Sequence, residues 1–277
     1  MPSLRMKQAP IVMLLVLLGG VSFLAMPAVV AQGPAAEQPE FYFTRLMYEQ
    51  NGYYGFGGTM RNPGPYKCPE FGGGNFFPPQ GNGWLTDSPG ADCKLMGAIH
   101  RMTGQSVYSN PNYMEIMNPD LFKYPVAYII EVSWWTLTDR EAAALRAYIQ
   151  KGGFVIVDDF KMPGDFGSPG WEPFETNMKR VLPAVRFYDL DASHPIFHAF
   201  FEIDDLSIVP QAYNYGRPIF RGVFEDNDPG KRLQMIVNYN TDVSQFWEWS
   251  GTGLRPIDQT NEAYKLGVNY LVYGMTH

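Results

Sequence analysis

The apolar run FVIV at 154–157 is preceded by two glycines and followed at once by Asp158 and Asp159. Such a run, bounded by turn residues, predicts a strand buried on both faces, as in a parallel sheet. YPVAYIIEV (124–132) predicts a second strand of the same kind. TDREAAALRAYIQKGG lies between them with helical spacing. Leu145, Tyr148 and Ile149 share one face, Thr138 and Glu141 form an S/T-x-x-E capping pattern, and Gly152 terminates the helix. Strand, capped helix and strand over 124–158 predict a right-handed βαβ unit.

The same periodicities extend outward. FYFTRLMY (41–48) is β-branched and aromatic, and predicts a first strand. TDSPGADCKLMGAIHRMTG predicts a helix capped by Asp87 or Ser88, with Pro89 near its first turn and Gly104 at its end. Leu95, Ile99 and Met102 form its expected buried stripe, with His100 at the boundary. EPFETNMKRVLP (172–183) predicts a helix stopped by Pro183, and VRFYDL a short strand. RPIFRGVFED and KRLQMIVNYN flank NDPG and predict a hairpin. DQTNEAYKLGVNYLVYGM predicts a final helix with Ala263, Leu266, Tyr270 and Leu271 on one face. Residues 51–83 are rich in Gly, Pro, Asn and aromatics without a period, and read as a long inserted loop. The pattern as a whole predicts one α/β domain over 41–277. Its sheet is mostly parallel and doubly wound, with an antiparallel addition near the C-terminal edge.

The first 31 residues have a different character. Arg5 and Lys7 precede sixteen uncharged residues, IVMLLVLLGGVSFLAM, and Val29 and Ala31 then form a small-residue cleavage pattern. This predicts a signal peptide over 1–31 and a short polar linker over 32–40. The protein is therefore expected to be exported to the periplasm or cell envelope, with no membrane insertion after cleavage; the alternative is an uncleaved anchor. In an oxidising compartment Cys68 and Cys93 are expected to form a disulfide, the alternative being two free thiols. A formal net charge of −7, with no basic run, argues against a nucleic-acid partner.

Ligands in open parallel sheets bind beyond the carboxyl ends of the strands. That edge collects Arg45 and Tyr48 from the first strand, Glu131, Trp134 and Trp135 after the second buried strand, and Asp158 and Asp159 after the third. Asp158, Asp159 and Glu131 are the candidate catalytic acids. Arg45, Tyr48, Trp134, Trp135, Trp247 and Glu248 are candidate ligand-binding residues. Adjacent strand residues face opposite ways, so one aspartate is expected to serve a site and the other the scaffold, with Asp158 the site-facing one. The structural alternative has one aspartate capping its loop and the other pairing with Arg45. Trp247 and Glu248, in FWEWSG, suit either sugar stacking or packing under the last helix. His194 and His198 have helical i, i+4 spacing, but Pro195 between them makes His194 a helix cap rather than a metal ligand. No metal and no cofactor is expected from these patterns. Nucleophile elbows, P-loops and dinucleotide fingerprints do not occur in the sequence.

FYFTRLMY, GWLTDSPGAD, LFKYPVAYI, TDREAAALRAYIQKGGFVIVDDF, HPIFHAFFEID, FWEW and AYKLGVNYLVYGMTH together resemble the bacterial domain of unknown function 4159 family. That family is grouped with class I glutamine amidotransferase-like folds, near the trehalose-utilisation-like proteins. The resemblance spans 41–277 and implies a flavodoxin-like three-layer α/β sandwich. Glutaminases of that superfamily carry a nucleophilic cysteine in a sharp turn after a central strand. FVIVDDF resembles this strand and turn, but Asp158, Asp159 and Phe160 occupy it. A carboxylate cannot repeat the thiolate's role, so the resemblance implies a chain that is not a glutaminase. The insertion around 60–83, which contains Cys68, departs from the family. Relatives resemble companions of membrane-associated von Willebrand-type and MoxR-type ATPase systems, which implies an envelope protein partner.

Three functions follow as expectations. The first is an exported domain binding a partner or a small polar ligand through the strand edge. The second is a carboxylate- or metal-dependent hydrolase acting on sugar or cell-wall material through Asp158, Asp159 and Glu131. The third is a carbohydrate-binding module using the aromatics of 53–84.

Overall fold

The computed structural model of the chain describes residues 41–50, 68, 83–164, 168–211 and 216–277. The predicted leader, the linker and nearly all of the 51–83 loop lie outside them. In chain order the elements are β1 (Thr44–Met47), β2 (Glu49–Gln50), α1 (Gly90–Thr103), β3 (Asn112–Glu115), β4 (Val126–Ile130), β5 (Trp135–Thr136) and α2 (Asp139–Gln150). They continue with β6 (Phe154–Phe160), α3 (Trp171–Val181), β7 (Tyr188–Asp189), β8 (Ile219–Phe224), β9 (Leu233–Tyr239), α4 (Val243–Glu248) and α5 (Ile257–Thr276).

Seven strands form the main sheet in the order β3-β1-β4-β6-β9-β8-β7, and β2 and β5 make a separate two-stranded ribbon. The first five strands pair in parallel, whereas β8 and β7 are antiparallel additions at one edge. This is the flavodoxin-like doubly wound α/β arrangement expected from the pattern. Its winding reverses between β1 and β4, and this switch point places the crevice of the fold at their carboxyl ends.

Side-chain alternation along the strands divides the core in two. Tyr128, Ile130, Phe154 and Ile156 face α1, α4 and α5 through Leu95, Trp247 and Leu266. Ala127, Ile129, Val155 and Val157 face α2 and α3 through Leu145, Ile149, Phe174 and Met178. Both faces of β4 and β6 are therefore covered, which is why their sequences are apolar without interruption. The capping box on α2 forms as predicted, with Thr138 and Glu141 satisfying each other's backbone N–H groups. Ala263, Leu266, Tyr270 and Leu271 of α5 are all buried. Among the described residues no helix is long and apolar enough to cross a membrane.

The structure corrects several expectations. Neither Asp87 nor Ser88 caps α1: the helix begins at Gly90, Pro89 holds the N-cap position, and no side chain bonds there. Met102, expected in the buried stripe, is 39% exposed. β3 and α4 have no counterpart in the predicted elements. Trp247 belongs to the core, with its indole N–H donated to Ala263 O at 2.9 Å, so the packing alternative holds for it.

Cys93, in α1, is bonded to Cys68 across 25 residues of sequence. Closing a loop of that size stabilises the fold by about 3 kcal/mol in the chain-entropy account. Reduction is accordingly expected to lower the urea midpoint by an equivalent amount. Alkylation mass spectrometry supplies the control: two alkylatable thiols before reduction would rule the bridge out.

Candidate functional site

The acids at the end of β6 are set by an irregularity in the sheet. β6 and β9 run in register to Val157 and resume at Phe160, so Asp158 and Asp159 sit in a bulge. Asp159 has a left-handed backbone, φ 44°, and Glu131, just past β4, has φ 52°. Asp87 and Asn240, before α1 and after β9, are also left-handed, at φ 60° and 58°. Non-glycine residues in this region carry strain that the surrounding structure must hold, and such residues concentrate at functional sites. The Glu131 N–H donates to Asp159 O at 3.0 Å, tying the two turns together.

The two adjacent carboxylates have different partners. Asp158 is fully buried and accepts from Tyr128 Oη (2.9 Å), Asn238 Nδ2 (3.1 Å), Val243 N (3.4 Å) and Ser244 N (3.1 Å). Tyr270 Oη in turn donates to Asn238 Oδ1 at 3.0 Å. Asp158 therefore joins β4, β6, β9 and the start of α4. Burial, reinforced by the negative charge of Asp159, pushes its carboxyl up to about 6 against the pull of these hydrogen bonds. This reverses the expected division of labour: Asp158 is the scaffold residue.

Asp159 faces the other acids. Its Oδ1 accepts from Lys161 Nζ at 3.3 Å and Gln211 Nε2 at 3.2 Å, and the same ammonium reaches Glu131 Oε1 at 3.3 Å. One carboxylate oxygen each from Asp87, Asp159 and Asp242 lie within 4.8 Å of one another. Asp242 follows β9 and caps α4 through Gln245 N at 3.0 Å. Asp87 accepts from Ser244 Oγ at 2.7 Å and remains partly exposed on the approach to α1. Burial raises the Asp87 carboxyl well above its ordinary value, with Glu248 and Asp159 adding to the shift. Burial does the same to Asp242, with Asp159 and Asp87 adding and Lys161 opposing. Acids outnumber the ammonium in this cluster, and carboxylate oxygens are hard ligands of the kind calcium, magnesium and manganese accept.

Of the predicted residues, Glu131 and Asp159 come together in this cluster, and Glu248 lies beside it, packed on the start of α1 at Gly90. Arg45 is not part of it. Its guanidinium, fully buried, forms a two-point pair with Asp92 of α1 (Nε–Oδ1 3.1 Å, Nη2–Oδ2 2.9 Å) and donates to Trp84 O and Thr86 O. Tyr48 is buried, and its hydroxyl donates to Ile130 O (2.7 Å) and Glu131 O (3.0 Å), bracing the turn rather than lining the cluster. Trp134 and Trp135 line a separate groove against α3. His194 caps a short 3-10 helix, accepting from Ile196 N, and His198 pairs with Glu202.

Sequence reasoning missed Asp87, Lys161, Gln211 and Asp242. Asp87 was hidden by its cap-like position before Pro89. Asp242 follows a buried strand just as Asp158 does, and that shared position was the available signal. The residue profile of the family described as Domain of unknown function (DUF4159) matches residues 78–275, so the chain belongs to that family. No curated protein matches the chain.

Proposed function

We propose, from membership of the DUF4159 family as the premise, that this chain is an exported binding domain. Its ligand, small, polar and positively charged or rich in donors, seats at the carboxyl edge of the sheet. The observation that carries this reading is the convergence of Asp87, Glu131, Asp159, Lys161, Gln211 and Asp242 from separate segments, with a carboxylate excess inside the protein. The Cys68–Cys93 bridge supports an oxidising compartment. Descent from glutaminase-like folds is supported by the strand order and by the position of the Asp158–Asp159 turn, but both cysteines are bonded to each other and carboxylates occupy the turn. That supports binding rather than thiol chemistry.

The hydrolase reading draws on the same three aspartates. The raised carboxyls of Asp87 and Asp242 suit them to hold a proton, as general acid–base work requires, and a hard divalent ion would complete that set.

Thermal unfolding with calcium, magnesium, manganese or a short aliphatic diamine tests both. A ligand of the folded state alone raises the midpoint in proportion to the logarithm of its concentration. At least one of these probes is expected to raise it, and Asp242→Asn is expected to remove the response. Response to a metal alone favours the hydrolase reading, response to the diamine the binding reading, and response to none overturns both.

A further inference from the structure

Away from the acid cluster, the two-stranded ribbon and α3 enclose a groove of about 540 Å³, larger than the described cavities of 370, 340 and 260 Å³ elsewhere on the chain. It lies within the size range of small-molecule sites. Its apolar lining includes Trp134, Pro169 and Pro173, together with Trp135, which is 3% exposed and already stacked on Phe174. Stacking surfaces of this kind suit the flat C–H faces of sugar rings.

The polar part of the lining is held in place before any ligand arrives. Asn177 Nδ2 donates to Trp135 O at 3.2 Å and to Pro173 O at 3.1 Å, while Arg180 Nη1 donates to Leu137 O at 2.5 Å and to Asn177 Oδ1 at 3.2 Å. Fixed polar groups lose little freedom on binding. Glu172 and Arg180 contribute one charge of each sign, and Arg180 is paired with Asp139 at 2.8 Å. Two lining residues also carry unmet hydrogen-bonding capacity. The Trp135 indole N–H and the Thr136 hydroxyl are buried without a partner. An orphaned donor is costly in a folded protein, and a ligand hydroxyl both donates and accepts, so it complements each of them.

We infer that this groove is a second binding site, independent of the acid cluster, for a neutral oligosaccharide. The Trp134 and proline lining, the locked polar groups and the orphaned polar atoms agree with that chemistry. An anion would meet Glu172, and a cation would be drawn instead to the acid cluster.

Isothermal titration of the full chain with neutral cello-, malto-, xylo- and chito-oligosaccharides tests the inference. Saturable binding of at least one is expected. Trp134→Ala is expected to weaken it about tenfold or more through loss of a stacking surface, and Thr136→Val to weaken it while leaving the fold as stable or more so. Asp242→Asn is expected to bind the sugar as the parent does, which separates this site from the cation response. No heat with any member, or Trp134→Ala binding within about twofold of the parent, would overturn the inference. Circular dichroism of each variant confirms that the comparison is between folded proteins.

Discussion

Arg45→Met is expected to destabilise the protein by roughly 3–5 kcal/mol, because it strands a charge inside the core. Arg45 and Asp92 are 0% and 1% exposed. Their two-point pair compensates both ions for the loss of water. Burial acts to lower the Arg45 pKa, but the charge and hydrogen bonds of Asp92 outweigh it and hold the guanidinium above its ordinary value. Methionine fills much of the same volume, so the loss measures the charge and hydrogen bonds, not a cavity. The double variant Arg45→Met, Asp92→Leu is expected to recover much of the loss, since an apolar pair has no charge to strand. Urea midpoints at constant m-value read the result. A loss below about 1 kcal/mol for the single variant, the scale of an exposed pair, would refute the buried-pair account.

This pair also reaches the site. Arg45 Nη1 holds the carbonyls of Trp84 and Thr86 at 3.1 and 3.0 Å, immediately before Asp87. The left-handed backbone of Asp87 needs such a brace, because the strain is local and the restoring contacts must come from elsewhere. A cation response that weakens in Arg45→Met, while the fold is intact at low urea, therefore belongs to positioning and not to contact with the ligand.

The fold was legible where one element buries a continuous or strictly periodic surface. β4, α2 and β6 follow from three local signals that agree: an apolar run, a capping box and a second apolar run. The hairpin β8–β9 and the helix α5 are legible for the same reason. β3 was not, since in Asn112–Glu115 only Met114 is buried and its partner β1 lies far away in sequence. α4 is only six residues long, and its existence depends on Asp242 at its cap and Asp158 beneath its first N–H groups. Neither dependence has a local signature.

The candidate site divides along the same line. That acids gather at the strand ends followed from the parallel topology, and Glu131 and Asp159 do meet there. Which of Asp158 and Asp159 faces the cluster did not follow, because simple alternation assumes a regular strand. The bulge between Val157 and Phe160, with Asp159 at φ 44°, decides the question through backbone geometry that no residue pattern encodes. Asp87 and Asp242 are each ordinary as local sequence, and become unusual only when the fold brings their oxygens next to Asp159.

Asp158→Ala is expected to cost roughly 4 kcal/mol or more at pH 4.5, because it leaves Tyr128, Asn238 and the Val243 and Ser244 N–H groups without an acceptor in a closed interior. Asp158→Asn keeps the shape and part of the accepting capacity, and its deficit carries a distinctive pH dependence. The Asp158 carboxyl is raised to about 6 in the folded state, against about 3.9 for an unfolded aspartate. Between these values the folded chain holds a proton that the unfolded chain has released, so stability falls as pH rises. The contribution is fully present below about pH 4 and is lost by passage through about pH 6, in total roughly 3 kcal/mol. Asparagine does not titrate, so this part of the slope disappears in the variant. The deficit of Asp158→Asn relative to the parent should therefore shrink as pH goes from 4 to 7. A carboxylate held in place mainly by its hydrogen bonds would have a lowered pKa, with a deficit that grows only up to about pH 4 to 5 and is level from there to pH 7. Urea unfolding of parent and variant at several pH values distinguishes the two, and a deficit that stays level between about pH 5 and 7 would show that the hydrogen bonds, not burial, govern Asp158.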